Sequence, residues 1–180
     1  MTHQEAFNFI KDIFSTPGET WADLGAGGGT FTLPISQLLG KSGKVFAIDI
    51  NPNVLNINNA NLQLNRAEIV SIQADFTNDL ELPLLDGIFM ANALHFIKDQ
   101  PDFLKQYIYK LKPQGKFVFV EYDHNQSSPW VPFPVPFQKL KEMVSGVSLT
   151  EAIEINRRPS LYGNGDLYLA IAKKIEKDLM

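Results

Sequence analysis

The chain has 180 residues, with 16 Lys+Arg against 20 Asp+Glu and a formal net charge of −4. That length predicts a single domain over 1–180, and 44% hydrophobic content is enough for a full core. The acidic balance argues against a nucleic-acid partner held by overall charge. The lack of cysteine excludes disulfides, thiolate nucleophiles and Cys-ligated zinc.

The first residues carry no basic stretch leading into an apolar run, so no secretory signal is expected. No run of about 18 apolar residues occurs, so no membrane span is expected and the cytoplasm is the default compartment. Short apolar strands alternate with longer helical stretches, the pattern of an α/β fold on a parallel sheet. Ala6, Phe9, Ile10, Ile13 and Phe14 predict an amphipathic helix over 3–14, within an N-terminal element (1–16) stopped by Pro17-Gly18. Residues 21–24 read as a first strand, a glycine cluster follows, and a helix runs from Thr30 to Leu39. A second strand covers 44–49, and an Asn-rich stretch over 52–64 reads as a helix with Val54, Leu55, Ile57, Leu62 and Leu64 facing inward. Strands are predicted over 68–73, 87–91 and 116–121, with a helix over 101–111 and a turn at Lys112-Pro113-Gln114-Gly115. Residues 123–136 hold Pro129, Pro132, Pro134 and Pro136, so an extended loop is expected there. A helix over 137–145 precedes two final strands near 149–155 and 166–173, joined by a loop ending in Gly163-Asn164-Gly165.

The segment Asp23-Leu24-Gly25-Ala26-Gly27-Gly28-Gly29-Thr30 lies between a strand and a helix. Glycine lets the chain turn tightly and brings bare backbone to a ligand, and N–H groups at a helix start favour anionic groups. Asp49 ends the second strand. In a doubly wound sheet a carboxylate there lies beside the first turn and accepts from two ribose hydroxyls, and it also suits a helix cap. These features fit a nicotinamide dinucleotide or S-adenosylmethionine. Three details favour the second. Thr30 stands where the dinucleotide fingerprint wants Gly or Ala. Asp23 suits an ammonium group and repels a pyrophosphate. Asp75, ending the third strand, can accept from an adenine amino group while the Phe76 N–H donates to the ring.

With these residues in view, the chain resembles the class I S-adenosylmethionine-dependent methyltransferases from Trp21 to Lys174, closest to the small-molecule branch known as methyltransferase domain type 11 or 25. The matching pieces are residues 23–29, 45–49, 73–76, 86–92 and 111–116, in that order and spacing. The resemblance implies a three-layer αβα Rossmann-like sheet in the order 3-2-1-4-5-7-6 with strand 7 antiparallel. It implies S-adenosyl-L-methionine as cofactor and S-adenosyl-L-homocysteine as product. Gly25, Ala26 and Gly27 are then expected along the methionine part, with Asp23 near its ammonium group. Asp49 is expected on the ribose, Ile50 over the adenine, and Asp75 and Phe76 at the adenine edge. Asn92 is expected near the reacting sulfonium. The Asn/Asp-Pro-Pro-aromatic run often carried by amino-methyltransferases acting on nucleobases or glutamine is absent, since the chain reads Asn92-Ala93-Leu94-His95, so that alternative within the family loses its main support.

The acceptor is expected to be a small molecule. Candidate acid–base groups are His95, His124 and Tyr122, all after strands that end at the ligand edge, and no metal is expected. Trp130 and Phe133 in the 123–136 loop are candidates to wall a substrate pocket as a lid, or to form a homodimer surface. Arg157, beside Arg158 in a loop between the last strands, is a candidate partner for a substrate carboxylate or phosphate. The competing readings are a NAD(P)-binding oxidoreductase and a non-catalytic binder of S-adenosylmethionine.

Overall fold

The computed structural model describes residues 1–14, 16–62, 65–160 and 165–175, with the backbone alone over 58–62. Its seven strands are β1 (Thr20–Leu24), β2 (Lys44–Asp49), β3 (Glu68–Gln73), β4 (Leu85–Ala91), β5 (Leu111–Tyr122), β6 (Ile153–Pro159) and β7 (Asp166–Lys173). They form one sheet in the order β3-β2-β1-β4-β5-β7-β6. β1 to β5 pair in parallel, and β7 runs antiparallel to both β5 and β6. This is the order the resemblance implied.

Helices α1 (His3–Ile10), α2 (Thr32–Leu39), α3 (Gln100–Ile108) and α4 (Phe137–Ser145) cover the sheet. Side chains alternate across each strand, so neighbouring residues enter opposite cores. Trp21, Phe89, Val118 and Val120 pack with Ala6, Phe9 and Ile10 of α1 and Ile35 and Leu39 of α2. Ala22, Ile88, Met90, Phe117 and Phe119 pack on the other face with Phe103, Leu104 and Tyr107 of α3 and Leu140 and Val144 of α4. Burial on both faces explains why these central strands read as unbroken apolar runs.

Local signals set the helix starts. Thr2 and Glu5 form a reciprocal capping box at α1, with Glu5 N to Thr2 Oγ1 at 3.2 Å and Thr2 N to Glu5 Oε2 at 2.7 Å. Asp99 accepts from Asp102 N at 3.2 Å to cap α3, with Pro101 in its first turn.

Several boundaries differ from the sequence expectation. The 3–14 helix is α-helical to Ile10 and continues as a 3-10 turn, Lys11–Ile13. The stretch after β2 is a 3-10 helix, Pro52–Leu62, rather than an α-helix. Asn51 Oδ1 accepts from Asn53 N at 3.0 Å at its start, and such side-chain bonds compete with an α-helical ladder. β5 starts at Leu111, so the Lys112–Gly115 turn lies inside it as an irregularity against β4, with Gln114 at φ 62°. The sixth strand begins at Ile153, not 149. It is an edge strand with Ile153 and Ile155 outward, so apolar character did not mark it, and Leu149 makes only an isolated bridge to Lys174. Leu64 and the turn residues Gly163 and Asn164 lie outside the described residues. No helix among the described residues is long and apolar enough to cross a membrane.

Candidate functional site

The sheet order reverses at β1, with β2 on one side and β4 on the other, and ligands in open α/β sheets bind at the carboxyl ends beside such a point. Three cavities lie there, and Asn92, just after β4, lines all of them.

The glycine turn forms the first cavity, of about 320 Å³, with Asp23, Gly25, Ala26, Gly27 and Gly28 in its wall. Gly25 sits at φ 81°, and its N–H and that of Ala26 donate to Ile48 O at 2.8 and 3.1 Å. This ties the turn to β2. A Cβ at Gly25 would lie 2.7 Å from Ala93 Cβ, whereas at Gly27 and Gly28 it would meet nothing within 4 Å. The turn is thus packed from below and open above. Asp23 is 1% exposed and accepts from Thr32 Oγ1 at 2.5 Å. Burial pushes its carboxyl up to about 7; the Thr32 bond opposes that rise and the charge of Asp49 adds to it.

The second cavity, of about 380 Å³, lies across β1 to β3 and has Gly25, Asp49, Ile50, Asp75 and Phe76 in its wall. Asp49 Oδ2 accepts from Gly27 N at 2.8 Å and Oδ1 from Asn51 N at 2.8 Å. It serves both as a brace for the glycine turn and as a local cap. Asp75 Oδ1 accepts from Thr77 N and Oγ1 at 2.9 and 2.7 Å. Ile50 is 67% exposed beside these acids, an apolar side chain at the cavity wall.

The third cavity, of about 540 Å³, is aromatic: Phe96, Tyr122, Trp130, His95 and His124 line it with Val131. His95 is 2% exposed, and its Nδ1 lies 2.6 Å from Oε2 of Glu121, itself 1% exposed. Glu121 Oε1 also accepts from the N–H groups of Leu94 and His95 at 2.9 and 3.3 Å. His124 stacks on Tyr122 with ring centroids 5.9 Å apart, and its Nδ1 accepts from Gln126 N at 3.2 Å.

The structure brings together Asp23, Gly25, Ala26, Gly27, Asp49, Ile50, Asp75, Phe76, Asn92, Tyr122, His95, His124 and Trp130 around this edge. It places two candidates elsewhere. Arg157 lies in β6, not in a loop, and its guanidinium is held by Glu154 and Asp123 at 2.7 Å each, so its charge is spent inside the fold. Its neighbour Arg158 is the arginine that lines the first cavity. Phe133 is not in the aromatic wall. Its N–H donates to His95 O at 2.9 Å and its carbonyl accepts from Gln100 Nε2 at 2.8 Å, so it fastens the proline loop from behind. Sequence reasoning missed Glu121 and Thr32. The available signal was one acid ending the apolar run Phe117–Val120.

These residues suit a cationic sulfur nucleoside on structural grounds. The turn exposes bare backbone, a buried carboxylate with no cationic partner among the described residues stands at one end, and two acids line the other. Asn92 Oδ1, buried between the cavities, has no hydrogen-bond partner among the described residues.

The sheet order and the cavities at its carboxyl edge place the chain among the doubly wound α/β folds. A family model described as a methyltransferase domain matches residues 15–176. The chain belongs to that family, the class I S-adenosylmethionine-dependent methyltransferases, whose cofactor is S-adenosylmethionine. It is 32% identical over 119 residues to a demethylmenaquinone methyltransferase of Oceanobacillus iheyensis, covering 62% of this chain and 48% of that protein. It is 29% identical over 110 residues to the ubiquinone/menaquinone biosynthesis C-methyltransferase UbiE of Vibrio cholerae, covering 59% and 42%. The chain spans about half the length of the curated relatives it matches. Its fold matches a Burkholderia thailandensis 1,6-didemethyltoxoflavin-N1-methyltransferase with TM-score 0.74, 17% identity and coverage of 97% and 78%. It also matches an Aquifex aeolicus SAM-dependent methyltransferase with TM-score 0.73, 18% identity and coverage of 94% and 89%.

Proposed function

We propose that this protein moves a methyl group from S-adenosylmethionine to a small, flat, largely apolar acceptor. The observation that carries this reading is the convergence of two cofactor-sized cavities and one aromatic chamber on Asn92. The names of the relatives that act on quinone precursors support an aromatic acceptor.

The roles follow from the chemistry of each group. Asp23, ionised, would neutralise the amino-acid ammonium, with the backbone of Gly25 to Gly27 alongside. Asp49 would accept from the ribose hydroxyls, and Asp75 with Phe76 N–H would read the adenine edge under Ile50. When bound, S-adenosylmethionine supplies a methyl already made electrophilic by the positive sulfur. The chain's task is to hold the acceptor in line and to keep water out. Phe96, Tyr122 and Trp130 wall the acceptor, and His95 is placed to handle its proton.

A thermal melt tests the reading. S-adenosylmethionine at about 100 times its Kd should raise the Tm by several degrees, and NAD should leave it unchanged. The reverse result would restore the oxidoreductase reading. Formation of S-adenosylhomocysteine in the presence of a bicyclic aromatic acceptor should depend on Trp130, with Trp130→Ala raising KM more than it lowers kcat. Tight cofactor binding with no turnover across hydroxyl, amine and thiol acceptors would favour a non-catalytic binder.

A further inference from the structure

We infer that Glu121 is the positioning residue that makes His95 a proton acceptor facing the aromatic chamber, and that the acceptor is therefore an uncharged hydroxylated aromatic ring. This rests on the functional reading above and goes beyond it in naming the group that loses a proton.

The argument starts from burial. A carboxylate removed from water is costly unless its oxygens are satisfied. Glu121 at the end of β5 takes three donors: Leu94 N, His95 N and the His95 ring. One side chain thus fixes both the 3-10 turn Leu94–Phe96 and the imidazole that it carries. The carbonyl of Leu94 accepts from Gln100 Nε2 at 3.3 Å, and that of His95 from Phe133 N at 2.9 Å, so the turn is held from both sides.

A carboxylate against Nδ1 keeps the proton on that nitrogen and leaves Nε2 as an acceptor. Among the described residues no protein group bonds Nε2, and His95 is one of the residues that line the chamber. The nitrogen left as acceptor is therefore assigned to the space that would hold the acceptor molecule.

The chamber wall defines what fits. Among its described lining residues there is no Asp, Glu, Lys or Arg. None of these described residues offers a formal charge to a charged substrate, and the aromatic side chains suit a flat ring. A neutral amine or a thiolate attacks without a base, but a hydroxyl does not. A buried, oriented histidine is needed for the hydroxyl case.

The step balances as follows. The ring hydroxyl gives its proton to His95 Nε2. The electron pair left on the ring system, at oxygen or at the adjacent carbon, forms the bond to the methyl carbon. The carbon–sulfur bond breaks with its electrons staying on sulfur. When the methyl joins at carbon, that carbon's own proton then leaves to water and the ring oxygen takes a proton back from water to restore the hydroxyl. The imidazolium, stabilised by the Glu121 carboxylate, returns its proton to water.

The experiment uses the ¹⁵N-histidine-labelled full chain with 1-naphthol as the probe and no cofactor added. His95 should show the Nδ1–H tautomer, and 1-naphthol should shift its Nε2 signal while naphthalene should not. Glu121→Gln retains an oxygen for the two backbone N–H groups but presents an amide to Nδ1. It should convert His95 to the Nε2–H tautomer and weaken 1-naphthol by about tenfold or more, with S-adenosylmethionine affinity held within about twofold by calorimetry. An Nε2–H tautomer in the unaltered protein would overturn the assignment, as would unchanged naphthol affinity in the variant. If the tautomer result holds but S-adenosylmethionine does not bind the unaltered protein, the functional reading falls and the Glu121 assignment stands.

Discussion

Asp23 and Glu121 are both about 1% exposed acids at the carboxyl ends of strands in one sheet, and they are provisioned in opposite ways. Glu121 meets an imidazole and two backbone donors within its own fold. Asp23 meets one hydroxyl, from Thr32, and no cation among the described residues. The contrast separates a carboxylate that organises the protein from one that waits for a ligand. Burial is the same; the number of donors decides which role a buried acid takes.

Removing Glu121 altogether should give the largest effect. Glu121→Ala leaves two backbone N–H groups and the His95 ring without their acceptor, and should cost about 4 kcal/mol in urea unfolding. A variant as stable as the parent would show that the 94–96 turn satisfies itself another way, and the contrast with Asp23 would fail.

Asp23 should behave in the opposite sense. Its folded carboxyl is raised to about 7 from the ordinary 3.8, so the ligand-free fold binds the proton more tightly than the unfolded chain. Its contribution to stability is fully present below the unfolded value and is lost as pH rises toward about 7. Asp23→Asn should therefore stabilise the ligand-free protein by about 3 kcal/mol above pH 7 and flatten its stability between pH 5 and pH 8. Cofactor affinity should run the other way. In the parent it should rise about tenfold from pH 6 to pH 8 as the carboxylate forms, and in Asp23→Asn it should be weak and flat. Calorimetry at those pH values checks the sign. A parent affinity that fell with pH would remove Asp23 from the ammonium site.

The glycine turn offers a smaller and more local test. Gly25→Ala adds a Cβ at φ 81° and 2.7 Å from Ala93 Cβ, and should cost about 2 kcal/mol as well as cofactor affinity. Gly28→Ala meets nothing within 4 Å and should change stability by less than about 0.5 kcal/mol. Equal losses from the two would mean that the turn is not braced by the segment after β4.

Much of this was legible from residue order. The apolar runs marked the central strands because both of their faces are covered; Asp49 was readable because it ends such a run before a helical stretch, and Asp75 because it closely follows the third strand. The sixth strand was misplaced because an edge strand needs no inward apolar pattern. Arg157 was misread because its partners Asp123 and Glu154 come together only when β5, β6 and β7 pair. Glu121 went unnoticed for the same reason: its partner lies 26 positions away and meets it only across adjacent β4 and β5. Pairing across strands is the part of a site that spacing along one chain does not carry.

The aromatic chamber takes most of its wall from one continuous stretch, Tyr122 to Val131, while the other two cavities draw chiefly on the turns after β1 to β4. On the function proposed above, substrate choice and methyl-donor capture would fall to separable lengths of polypeptide. Grafting a foreign segment between Asp123 and Pro136 should retune which molecules are methylated while the nucleotide half continues to work as before.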